Sequence, residues 1–272
     1  MGRPGETIIN KEQMILTLTT DFGLEDAYVG VMKGVIADIN PNLNVIDLTH
    51  QIPPQNIAAG RFCLMNAVPY FPQNTVHVAV VDPGVGSDRQ GCAIALEKGY
   101  LVGPDNGLFS GVLSQFPPQK AVALTNPQYW RVAAVSNTFH GRDIFAPVGA
   151  HLASGVPLEA LGETMPLDQL KADPLPSPEI KSEQILGSIQ YIDHFGNLMT
   201  NIPATVVQGK QWVVTINQQT IPSATTYSSY PPRSLITLIG SHGWVEIAMN
   251  QGNAAAELSL TEGSPIVLTF TH

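Results

Sequence analysis

Charge is scarce in this 272-residue chain: 13% of its residues are Asp, Glu, Lys or Arg, against 44% hydrophobic. That balance excludes an intrinsically disordered chain, and a chain of this length buries roughly 70–75% of the surface its unfolded form exposes. Positive charge is scarcer still. Thirteen Lys and Arg against 22 Asp and Glu give a formal net charge of −9, which argues against nucleic acid as a partner because phosphate binding calls for a basic face. Two cysteines, Cys63 and Cys92, are too few for a disulfide framework and lack metal-ligand spacing. Both lie in apolar runs, "GRFCLMNAV" and "QGCAIALE", as buried structural thiols do, which points to a reducing compartment. There is no apolar run of 18 or more residues, and the N-terminal "MGRPGETIINKEQ" is polar. Neither a membrane span nor a secretory signal is therefore expected, and the expected location is the cytoplasm. Phosphate loops, G-x-G-x-x-G fingerprints, G-x-S-x-G elbows and H-E-x-x-H helices are missing too.

What is present is a change of pattern partway along the chain. "MILTLTT" (14–20), "LNVIDLT" (43–49) and "TVHVAVV" (75–81) read as strands, with helical stretches between them, and "GCAIALE", "GYLVGPD" and "KAVALTN" as further short strands. In the first helix Tyr28, Val31, Met32, Val35 and Ile39 fall at helical spacing, while Gly30 and Gly34 leave one side bare for close packing. "APVGAHLASG" reads as a helix with Pro147 in its first turn. This alternation predicts an α/β domain over 14–165 with a mostly parallel sheet covered on both sides. Residues 166–181 are rich in proline and read as a linker. From 182 to 272 the chain is strand-like: "QILGSIQYID", "QWVVTINQQTI", "RSLITLIG", "GWVEIAMN" and "SPIVLTF" predict a smaller all-β, barrel-like domain.

In open α/β sheets ligands bind beyond the carboxyl ends of the strands. Polar clusters fall at such ends: "TTDFGLEDAY" with Asp21 and Asp26, "DPGVGSDR" with Asp82 and Arg89, "PDNG" with Asp105 and Asn106. "FHGRDIF" precedes a helix and carries His140, Arg142 and Asp143. Each has a purely structural reading. Asp21 can make an Asx-turn, Asp82 sits in a turn-forming Asp-Pro-Gly, "PDNG" is an ordinary turn, and Asp143 can cap a helix and pair with Arg142. Together they suggest a site at one sheet edge. Asp21, Asp26, Asp82 and His140 could hold a divalent metal for phosphoester hydrolysis, but Arg89 and Arg142 in the same cluster disfavour a cation. A binding protein without catalytic activity is a further possibility.

The blocks "TTDFGLEDAYVGVMKG", "DPGVGSDR", "PDNG", "FHGRDIFAPVGAHLA", "IDHFGNLMTNI" and "SHGWVEIAMNQGNAA", in that order from about residue 14 onward, resemble the S-adenosylmethionine hydroxide adenosyltransferases. These are hydrolytic relatives of the fluorinase and chlorinase enzymes. The resemblance implies hydrolysis of S-adenosylmethionine to adenosine and methionine with no metal or other cofactor, and a link to the R epimer at sulfur. It also implies a homotrimer whose ligand lies between the N-terminal domain of one subunit and the C-terminal domain of the next. The family's Asp–Arg–His trio maps onto Asp82, Arg89 and His140. Halogenating relatives carry an aromatic, Thr-rich loop in place of "DPGVGSDR" and Tyr-Ser in place of His140-Gly141, so halogenation is not expected.

Such a reaction needs water aimed at the ribose C5′ behind a sulfonium, and the trio suits that task. By resemblance Asp21 accepts the vicinal ribose hydroxyls. Phe195 can supply a flat apolar partner for adenine and Asn197 an amide that both donates and accepts, although "HFGN" also reads as a hairpin turn. Asp193 or Glu246 could take the ammonium of the methionine end and Ser241 its carboxylate. The resemblance supports Asn197, Ser241, Glu246 and the backbone of Met249 as contacts, and Phe139 joins the substrate-binding set. Taken structurally, Glu246 is an outward strand residue between Val245 and Ile247.

Overall fold

The computed structural model describes residues 14–271; the polar N-terminal stretch read above as carrying no signal lies outside them. The chain divides into two compact units, the first ending at Asp173 and the second beginning at Pro174. Among the described residues no helix is long and apolar enough to cross a membrane.

The first unit is a seven-stranded sheet of β1 (Ile15–Thr20), β2 (Asn44–Thr49), β3 (Thr75–Val80), β4 (Gly91–Ala95), β5 (Gly99–Pro104), β6 (Lys120–Ala123) and β7 (Glu163–Thr164), in the order β2-β1-β3-β5-β4-β6-β7. The run β2-β1-β3-β5 is parallel, as the strand–helix alternation predicts. The remainder, β5-β4-β6-β7, is antiparallel. The reason is chain length: β4 and β5 are joined by Leu96–Lys98 alone, and a parallel pair needs a crossover of a dozen or more residues. Strand β3 is buried at every position, as befits a strand covered on both faces.

Helices α1 (Tyr28–Ile39), α2 (Ile57–Ala67), α3 (Ser110–Gln115) and α4 (Ala146–Ala153) belong to this unit. Asn56 caps α2 by accepting the Ala59 N–H at 2.9 Å, a contact of about 1 kcal/mol. Gly149 lets α4 lie close on the sheet, because a Cβ there would meet Val78 Cγ2 at 2.4 Å. The inward face of α1 is Val29, Met32 and Ile36. Tyr28 and Val31 are instead exposed, and nothing lies within 4 Å of a Cβ built at Gly30 or Gly34. The predicted bare stripe exists, but among the described residues nothing packs on it. The end of the unit is fastened down: buried Arg61 grips both the carboxylate and the carbonyl of Asp173, the Asp173 N–H donates to Ser110 Oγ (2.8 Å), and the Lys171 N–H donates to Asp105 Oδ1 (2.9 Å). "PDNG" therefore serves the structural role expected of it. Cys92 is buried and Cys63 half-buried, both as free thiols, and burial raises both thiol pKa values.

The second unit is built from β8 (Glu179–Ile180), β9 (Gln184–Ile192), β10 (Leu198–Pro203), β11 (Gln211–Ile216), β12 (Gln219–Pro222), β13 (Leu235–Ile239), β14 (Trp244–Met249) and β15 (Pro265–Thr271). Its order is β12-β11-β15-β9-β10-β14-β13, with β8 paired to β9 and every strand pairing antiparallel. The ends nearly meet: a bridge joins Ser223 to Thr237 and the Ala224 N–H donates to Thr237 O at 2.7 Å. This is the barrel-like sheet expected. The single run "QWVVTINQQTI" is in fact the β11–β12 hairpin. Asn217 and Gln218 both take positive φ (49° and 66°), as a two-residue turn between right-twisted strands requires.

Candidate functional site

Strands β1 and β3 run parallel with Thr20 opposite Val80, so Asp21 and Asp82 leave the sheet at the same edge. The Asp82–Arg89 loop turns through Gly86, at φ +80°, where a Cβ would strike Asn137 O at 2.3 Å. Only glycine fits both the conformation and the close approach. That loop brings Arg89 back over Asp82: Nε donates to Oδ1 at 3.0 Å and Nη2 donates to Oδ2, a two-pronged pairing. Nη2 also lies 3.1 Å from His140 Nδ1. The three predicted catalytic residues thus form one hydrogen-bonded unit, with the Asp82 and Arg89 side chains only 5% and 9% exposed.

A guanidinium can only donate, so Nδ1 of His140 accepts, and the neutral ring carries its proton on Nε2. Burial, and then the adjacent Arg89 cation, hold the imidazole below its ordinary value of 6.5, with Asp82 and Asp143 acting the other way. Fully buried Phe145 backs the group, 5.4 Å from the Arg89 guanidinium carbon.

His140 sits at the mouth of a π-helical turn, Gly141–Phe145, that runs into α4. Pro147 explains the wider turn: it has no N–H for the Asp143 carbonyl, and its ring crowds that oxygen. The freed carbonyl accepts the Arg131 N–H at 2.9 Å. Asp143 caps nothing. Its buried carboxylate binds Arg142 through both oxygens (2.7 and 2.8 Å) and the Ser136 N–H (2.9 Å), which pins the preceding loop. The Arg142 contact holds the Asp143 carboxyl below its usual range.

Asp21 Oδ2 accepts the Gln55 N–H at 2.7 Å. Phe22, the next residue, meets Phe139 edge-on at 5.8 Å, and Tyr28 closes an aromatic triad with both. The Asp21 turn and the His140 turn therefore adjoin. Asp26 is exposed. Among the described residues no three His, Cys, Asp or Glu side chains gather as a metal site, and Arg89 already engages both oxygens of Asp82, so the metal-dependent alternative gains no support.

The second unit holds a cavity of about 620 Å³ lined by Asp193, Phe195, Asn197, Tyr227, Met249, Gln251 and Gly252. Four of these were anticipated. Asp193 works as the turn's organiser: Oδ1 accepts the N–H groups of Phe195 and Asn197 (both 2.9 Å) and Oδ2 accepts from Asn197 Nδ2 (3.0 Å). The turn leaves the Phe195 ring 72% exposed. Glu246 is not outward; it is 2% exposed in a strand buried from Val245 to Met249. Its Oε1 accepts the Tyr227 hydroxyl at 2.7 Å and its Oε2 lies 3.2 Å from His242 Nε2. The neighbouring carboxylate and burial raise the Tyr227 pKa, burial most of all. Ser241 is exposed in the turn before β14. Tyr227, Gln251 and His242 were missed by sequence reasoning. The four-residue spacing of His242 and Glu246 was the one available signal.

Comparison with known proteins follows the same division. A family model described as SAM hydroxide adenosyltransferase N-terminal domain matches residues 16–162, and one described as its C-terminal domain matches 187–267. The chain is 40% identical to a protein of Thermus thermophilus named (R)-S-adenosyl-L-methionine hydrolase, over 92% of this chain and 97% of that one. It is 37% identical to one of the same name from Methanocaldococcus jannaschii, over 90% and 92%. A fluorinase of Nocardia brasiliensis is 23% identical over 94% and 97%. A crystal structure of an uncharacterized conserved protein from Thermotoga maritima superposes with a TM-score of 0.88 at 34% identity, covering 94% of this chain and all of that one.

Proposed function

The chain belongs to the S-adenosylmethionine hydroxide adenosyltransferase family, and from that premise we propose that it hydrolyses S-adenosyl-L-methionine, as the R epimer at sulfur, to adenosine and L-methionine. One observation carries the reading: Arg89 joins Asp82 to His140 in a single hydrogen-bonded group at the sheet edge where Asp21 also emerges. The greater identity to the hydrolases than to the fluorinase favours water over halide as nucleophile.

Water attacks C5′ in line, and the C5′–S electron pair leaves on sulfur as a neutral thioether, which needs no proton. The Nε2–H of His140 and the Nη1 end of Arg89, which takes no part in the three contacts above, orient the attacking oxygen. Its proton passes to Asp82, whose oxygens each keep a lone pair beyond the one given to Arg89. Opposite charges merge as the bond forms, so donors fixed in a dry site lower the barrier without reorganising.

Asp21 accepts the ribose hydroxyls and Phe139 lines the substrate. Phe195 stacks on adenine, and Asn197 with the Met249 backbone reads its edge. Ser241 takes the methionine carboxylate. Glu246, held by Tyr227 and His242, takes the ammonium, since Asp193 is committed to its turn. The assembly is a cytoplasmic homotrimer in which one subunit's N-terminal domain (14–165) and a neighbour's C-terminal domain (182–272) share each site, the proline-rich stretch between them holding the short connection around Pro174. Incubation with each sulfur epimer separately, with chelator present, should release adenosine and methionine in equal amounts from the R epimer. Absence of both products from the R epimer ends the proposal.

A further inference from the structure

A second buried polar group stands behind Asp21. Strands β1 and β2 shift register between Leu18 and Thr19, which sets His50, just past β2, beside Thr20 at the end of β1. Thr20 is fully buried and His50 is 3% exposed. Thr20 Oγ1 lies 2.8 Å from His50 Nδ1 and accepts the Phe22 N–H at 3.2 Å. The His50 carbonyl accepts the Gly23 N–H at 2.8 Å. Farther out, Asp47 Oδ1 approaches His50 Nε2 to 3.0 Å without the alignment of a hydrogen bond, and Asp47 Oδ2 accepts from Lys33 Nζ at 2.6 Å.

Polar groups are costly to bury unless hydrogen-bonded, and a satisfied buried network stiffens what it holds. Here both the side chain and the backbone of His50 hold the turn Asp21-Phe22-Gly23. Among the described residues the Asp21 carboxylate is otherwise fixed from the far side alone, by the N–H of Gln55, a residue held at φ 64°. We propose that Asp47, His50 and Thr20 form a positioning relay that aims the Asp21 carboxylate, and so sets recognition of the ribose hydroxyls. The relay rests on the ribose role given to Asp21 above. None of its members touches substrate. Asp47 orients the imidazole, the imidazole fixes the Thr20 hydroxyl, and that hydroxyl and the His50 carbonyl fix the two amides after Asp21.

The test compares binding of adenosine with binding of 2′-deoxyadenosine to the full chain, alongside amide hydrogen exchange at Phe22 and Gly23. Wild type should prefer adenosine by about tenfold or more, the worth of a hydrogen bond to a charged group. Thr20→Val, equal in shape but without the hydroxyl, should bring that ratio close to one and speed exchange at both amides. Thr20→Ser should restore both, and Asp47→Asn should fall between. A general loss of stability would weaken the two ligands alike and leave the ratio alone. Unchanged exchange and an unchanged ratio in Thr20→Val overturn the relay. A wild type with no preference for adenosine instead overturns the ribose role of Asp21, and unaltered exchange in Thr20→Val then decides separately against the relay.

Discussion

At the scale of single residues, Arg89 is the organising charge. Its fork fits the Asp82 carboxylate while one nitrogen reaches His140, a geometry lysine cannot reproduce. Replacing His140 by Ala should lower turnover by about 10²–10³-fold, the usual worth of one preorganised donor at the reacting atom, with adenosine affinity nearly unchanged. Asp21→Ala should weaken both. Equal turnover in His140→Ala and wild type would remove that ring from the mechanism. The pH profile gives a second check. His140 is held below 6.5 and works as the neutral ring accepting from Arg89, so kcat/KM should be level through neutrality and fall on acidification, with a midpoint under 6.5. A midpoint above 6.5 contradicts that assignment. The identity of these residues was legible from the sequence only through the resemblance, since Asp82 in Asp-Pro-Gly and Asp21 before Phe-Gly are also ordinary turn formers. Tyr227 was not legible at all, because a tyrosine in a polar stretch gives no sign of the carboxylate nineteen positions later that accepts its hydroxyl.

At the scale of elements, loops do the positioning and the strands supply the frame. Gly86 shows how tight that coupling is, because the loop holding Asp82 and Arg89 rests directly on the carbonyl of Asn137. Gly86→Ala should cost about 1–3 kcal/mol of stability, seen as a lowered melting temperature, and should depress turnover more than adenosine affinity as Arg89 is displaced. A variant as active and stable as wild type would show that the contact yields freely. Strand periodicity located most strands, since apolar runs bounded by turn residues identify themselves. It missed β10, where "NLMTNI" mixes polar residues into a strand that is nonetheless buried from Leu198 to Ile202. In α1 it found Met32 and Ile39 but put Tyr28 and Val31 where Val29 and Ile36 face inward, because apolar positions are so frequent there that two faces look alike.

At the scale of the whole molecule, acid sensitivity has a named source. Burial, assisted by Lys98, lowers the His77 pKa to about 4, while its ring nitrogen meets Thr17 Oγ1 at 2.9 Å in the centre of the parallel sheet. The unfolded chain therefore binds a proton that the folded chain refuses between about pH 6.5 and 4. Stability attributable to this group is complete above pH 6.5 and declines by about 3 kcal/mol as pH falls to 4. His77→Gln should show a smaller loss of urea midpoint between pH 7 and 4.5 than wild type, and an equal loss would place the sensitivity elsewhere. The two-part organisation was readable from the sequence, because the switch from alternating helix and strand to strand alone leaves a mark that side-chain detail cannot blur.

The grip of Arg61 on Asp173 has a further consequence for that organisation. With Lys171 and Asp173 fastened to the first unit, and Pro176 O accepting from Asn201 Nδ2 in the second at 2.8 Å, the span of chain able to act as a tether shrinks to the few residues around Pro174. At about 3.3–3.6 Å per extended residue, and stiffened by proline, such a spacer has almost no slack. Glycine–serine insertions placed after Asp173 would lengthen it directly, whereas the same insertions ahead of Lys171 would be taken up as surface loop.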